Sequence, residues 1–135
     1  MKKFVTILTL IFTPYAIMGH GNHKVLETLP PFGPHGGDYA KMSVHYFEIL
    51  SKSREVSVYI LEPDLLSVAG DAVVLSISVR SQYGKYSKIK FQKKGNGYSG
   101  KYKVPAGKGL VYFQVAVKID GKIEKGTVKL ERSNL

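Results

Sequence analysis

At 135 residues the chain has room for one domain, and 44% hydrophobic residues are enough for an ordinary packed core. It has no cysteine, which excludes a disulfide scaffold and any thiolate metal centre. Twenty Lys and Arg against ten Asp and Glu give a formal net charge of +10, so anionic partners are favoured over cationic ones.

The first element is a secretory signal. "MKK" is its positive start, "FVTILTLIF" (4–12) its apolar stretch, and Pro14 ends it. The stretch is far shorter than the roughly 20 residues that span a bilayer, so removal is expected rather than stable membrane insertion. Ile17 and Gly19 suit the −3 and −1 positions of a cleavage site, which predicts cleavage before His20, with Ala16 as another acceptable position. Residues 1–19 are thus the signal peptide, and the mature protein is periplasmic or secreted. Losing Lys2 and Lys3 lowers the net charge from +10 to +8.

Residues 20–42, "HGNHKVLETLPPFGPHGGDYAKM", are rich in glycine and proline and lack periodicity, which predicts an irregular arm. From 43 to 135 the pattern alternates with period two, predicting a β-domain. "SVHYFEIL" (43–50) and "REVSVYIL" (54–61) read as strands joined by a short turn at "SKS". "EPDLLSVAGD" (62–71) is a connection. "AVVLSISVR" (72–80) is the clearest strand, expected to bury Val73, Leu75, Ile77 and Val79. "YSKIKFQ" (86–92) and "YSGKYKV" (98–104) flank "KKGNG", where Asn96-Gly97 signals a hairpin. "LVYFQVAVK" (110–118) is expected to bury Val111, Phe113, Val115 and Val117. Asp120-Gly121 turns into "KIEKGTVKLE", whose alternation slips near Gly126 as at a bulge. About seven short strands without a helix predict an all-β, immunoglobulin-like sandwich, with a small closed barrel as the competing architecture.

Chemistry concentrates in the four histidines, His20, His23, His35 and His45, all in the first third of the chain. Imidazole binds copper, zinc and nickel, and its neighbours here, Asp38, Glu48 and Glu27, offer oxygen. The mature chain keeps only Met42, so a thioether Cu(I) cage has no support. Cleavage after Gly19 would give His20 a free α-amine that chelates Cu(II) together with its Nδ1. His23, His35 or His45 would complete the set; otherwise "HGNH" is a tail with incidental affinity. His35 precedes Gly36 and Gly37, which permit tight backbone at a ligand loop or at any turn. His45, on the opposite strand face from Glu48, shares a metal with it only across a bulge. The candidate ligands are therefore His20, His23, His35, His45, Asp38 and Glu48.

Catalysis has less support. There is no G-x-S-x-G, no H-E-x-x-H and no cysteine nucleophile. The tyrosines read as core and rim residues. The scattered lysines Lys85, Lys88, Lys90, Lys93, Lys94, Lys101, Lys103 and Lys108 read either as one solvated sheet face or as a basic surface for an acidic partner or envelope polymer. Nucleic acid is not expected, since no binding motif is present.

Two stretches carry a family resemblance. "PHGGDY…HYFEIL…EVSVYILEPD" resembles small exported domains linked to heavy-metal resistance and the N-terminal region of periplasmic adaptors of cobalt-zinc-cadmium efflux pumps. "KIKFQKKGNGYSGKYKVPAGKGLVYFQVAVKIDGK" resembles YtkA-like and FixH-like domains, which have an immunoglobulin-type sandwich. The resemblance singles out His35, Gly36, Gly37 and Glu48, and it implies service to metal-efflux components of the envelope. Tyr46 stands where that pattern often has a histidine, with His45 displaced by one. The expectation is an exported, non-enzymatic protein that handles Cu(II) or Zn(II). The alternatives are a metal-free interaction module with a basic docking face, and a copper-dependent oxidative enzyme with a histidine brace at the N-terminus.

Overall fold

The computed structural model describes residues 29–135, so the signal segment, its cleavage position, His20, His23 and Glu27 lie outside the described residues. Among the described residues nine strands follow one another: β1 (Asp38–Lys41), β2 (Tyr46–Lys52), β3 (Glu55–Leu61), β4 (Val73–Ser81), β5 (Ser87–Lys88), β6 (Gln92–Lys94), β7 (Gly97–Lys101), β8 (Val111–Ile119) and β9 (Lys122–Leu130). They form two separate antiparallel sheets, ordered β1-β2-β3-β7-β6 and β5-β4-β8-β9, which pack as a sandwich and not as a closed barrel. Two additions raise the count above seven. One is β1, inside the segment expected to be irregular. The other comes from 86–92, which breaks into β5 and β6 because buried Ile89 carries the chain from one sheet to the other.

Alternation drives the packing. Phe47, Ile49, Val56, Val58 and Ile60 face inward from the first sheet and meet Ile77, Val79, Val111, Phe113, Val115, Val117, Val128 and Leu130 from the second. Each such fully buried side chain contributes about 2 kcal/mol by leaving water. In β8 the expected inward set is correct. In β4 half of it is: Ile77 and Val79 are buried, but Val73 and Leu75 are 54% and 46% exposed, while Val74 is 5% exposed. The register against β8 shifts between Val74 and Ser76, so Leu75 is an extra residue and the face inverts across it. The bulge expected in β9 is absent, because pairing with β8 runs unbroken past Val115 opposite Gly126. Glu124 instead occupies an inward position and Ile123 an outward one, which is why the pattern looks slipped.

Turn chemistry sets the registers. Asp120 and Gly121 both have positive φ, as a two-residue type I′ hairpin requires. The β6–β7 loop is Gly95-Asn96, with positive φ at Gly95 only. Gly97 therefore opens β7, where a Cβ would come within 2.7 Å of the Tyr59 ring. The β2–β3 turn is unusual. Ser53 and Arg54 adopt φ 52° and 64° with no glycine to relieve them. No helix among the described residues is long and apolar enough to cross a membrane.

Candidate functional site

Phe47 and Ile49 point into the core, so Glu48 between them must point to the outer face of the first sheet. It is nonetheless 0% exposed. The loop 33–37 covers it, tied by Gly33 N–H to the Gly37 carbonyl at 2.8 Å and by Gly36 N–H to the Gly33 carbonyl at 2.9 Å. Two glycines make the close cover feasible. A Cβ on Gly33 would collide with the Glu48 carboxylate, and one on Gly37 would sit 2.5 Å from the Ile49 carbonyl oxygen.

His35 clasps that carboxylate twice. Its backbone N–H donates to both oxygens, at 3.0 and 2.9 Å, and its Nδ1 lies 2.6 Å from Oε1. A carboxylate only accepts, so Nδ1 carries a proton, and in the neutral imidazole the lone pair is on Nε2. Tyr59, opposite Glu48 in the β2–β3 register, stacks on the imidazole with centroids 3.7 Å apart and planes 10° apart. The ring is held from one face and one edge. Its side chain is 30% exposed, and Nε2 has no hydrogen-bond partner among the described residues.

His45 repeats the device elsewhere. It lies just before β2, not within a strand, where residues 43–45 bend against β9. Glu124 Oε1 accepts the backbone N–H groups of Ser43, Val44 and His45 at 3.0, 2.5 and 3.0 Å, and Oε2 lies 2.6 Å from His45 Nδ1. Here Nε2 is not free, since Glu62 lies 3.5 Å from it. Burial alone would raise the Glu124 pKa. The N–H groups of His45 and Val44 and the His45 ring outweigh it and hold the carboxyl at about 2. This carboxylate ties the bend before β2 in one sheet to β9 in the other.

Of the four candidate ligands among the described residues, His35, His45, Asp38 and Glu48, the structure brings together only His35 and Glu48, the pair that the H-G-G…E pattern selects. His45 belongs to a second pair with Glu124, and Asp38 opens β1 without a side-chain hydrogen bond among the described residues. Nowhere among the described residues do three His, Cys, Asp or Glu side chains converge on a metal position. Sequence reasoning missed Glu124, Glu62 and Tyr59. The signal for Glu124 was a charged residue at an inward phase of β9.

In comparisons with known proteins, no family model, no curated protein and no solved structure matches the chain.

Proposed function

We propose that the protein is an exported carrier of a divalent transition metal, Cu(II) or Zn(II), in which His35 supplies one nitrogen and His20 and His23 supply others. The observation that supports this reading is the His35 clasp. A histidine whose Nδ1–H is given to a buried carboxylate and whose ring is stacked presents an oriented Nε2, the arrangement typical behind metal-bound imidazoles. Glu48 then orients the ligand instead of binding metal, since its oxygens already serve the His35 N–H groups. Asp38 and His45 rank lower as ligands, His45 because both ring nitrogens face carboxylates.

In this reading the chain binds reversibly and passes metal to an efflux component of the envelope; it catalyses nothing. His20 adds most if it is the first residue of the mature chain, where its amine and Nδ1 form a Cu(II) chelate. The test is calorimetric titration of Cu(II) and Zn(II) into exported, mass-verified protein, beside His35→Ala, Glu48→Gln and a form with one added N-terminal residue. One-to-one binding that weakens at least tenfold in His35→Ala, and about tenfold in Glu48→Gln, is expected. Affinity unchanged in His35→Ala overturns the role of His35, and absence of binding to either ion overturns the metal reading.

A further inference from the structure

Acidic residues are not spread evenly. From residue 72 to 119 the chain contains ten Lys and Arg and no Asp or Glu. The fold gathers much of this charge at one edge of the sandwich, opposite the β1–β9 side. There the edge strand β5 of one sheet and the end of β7 in the other flank an open groove of ≈ 860 Å³, within the usual range for a binding site. Lys88 and Lys90 line one wall and Lys101 and Lys103 the other, over a floor that includes Ile89 and Tyr102. All four lysines are exposed, and none pairs with an acid among the described residues.

We infer that this groove binds an acidic segment of a partner protein in extended conformation. Three features select that occupant. First, the lysines recur at every second residue on both walls. Alternate side chains of an extended peptide lie roughly 6.6 Å apart on one face, so carboxylates at i and i+2 meet successive lysines. Second, the walls carry free backbone. Among the described residues β5 pairs only with β4, to which Ile89 also donates its N–H, so the outward amides are those of Lys88 and Lys90; residues 103–106 belong to no strand, with the Pro105 carbonyl taken by Arg132. An incoming strand can thus extend the sheet at β5. Third, a second copy of this chain would bring lysine against lysine, so like charge disfavours self-pairing and leaves an acidic partner as the complement.

The probe is a fluorescein-labelled octapeptide that alternates glutamate and valine, titrated by anisotropy in EDTA so that metal plays no part. A block peptide of the same composition, four glutamates followed by four valines, runs beside it. The alternating peptide should bind at least tenfold more tightly than the block peptide. Lys88→Glu with Lys101→Glu should weaken it at least tenfold, whereas Lys122→Glu with Lys129→Glu, on β9, should leave it unchanged. Amide exchange at Lys88 and Lys90, the outward amides of that wall, should slow on binding. Equal binding of both peptides, or equal loss in both double variants, would reduce the effect to diffuse charge attraction and overturn the proposal. Groove-dependent binding of polyphosphate or phosphatidylglycerol vesicles without binding of the alternating peptide would overturn it as well, as would unchanged exchange at Lys88 and Lys90.

Discussion

Replacing Glu124 by glutamine removes the charge that holds residues 43–45 against β9 while keeping the shape of the side chain. The carboxyl titrates at about 2 in the fold against an ordinary 4.5, and that shift corresponds to about 3 kcal/mol. Because the folded value is depressed, the stabilisation is complete above pH 4.5 and disappears as pH falls toward 2. Glu124→Gln should therefore lose about 3 kcal/mol near pH 7, roughly 12 °C in Tm for a domain of this size. Below pH 2 the two proteins should converge. Urea melts followed by far-ultraviolet circular dichroism from pH 2 to 7 measure the difference, in which the other carboxylates cancel. A wild-type advantage that stays constant across that range would refute the assignment of the latch to an ionised Glu124.

The β2–β3 turn should respond in the other direction. Ser53→Asn with Arg54→Gly suits the left-handed backbone already present and should stabilise by about 1–2 kcal/mol in denaturant melts. The β4 bulge separates neighbours that sequence alone treats in the opposite way. Leu75→Thr should change stability by no more than about 0.5 kcal/mol, while Val74→Thr, which buries a hydroxyl in the core, should cost about 1–3 kcal/mol. Equal costs at the two positions would place the bulge elsewhere.

Alternating valines and isoleucines made β3 and β8 legible, because nothing in those strands competes with burial. The failures share a cause: a polar or irregular residue placed where tertiary contact outranks local pattern. Glu124 breaks the alternation of β9 because it serves the backbone of residues 43–45, some 80 residues away in sequence. Asp38–Lys41 is short and follows "GPHGG", so β1 gives no local signal, and pairing with β2 makes it a strand. Leu75 looked inward because a bulge is invisible in a run of apolar residues. Of the candidate site, the His35–Glu48 pair was legible only through the H-G-G…E resemblance. Tyr59 sat in plain view at the outward phase between Val58 and Ile60, but its stacking partner comes from a loop folded back over the sheet.

The long reach of Glu124 also orders events in time. Its backbone partners lie 79 to 81 residues earlier in the chain, and closing a loop of that length costs roughly 4 kcal/mol in entropy beyond a constant. A ribosome makes residues 43–45 some 80 residues before Glu124. Until then β1 and the bend after it have no β9 beside them, and the three N–H groups of the bend stay with water. The sandwich is thus shut from its C-terminal end. A nascent chain stalled before residue 122 should remain protease-sensitive at 41–46 even when β2 and β3 have already paired.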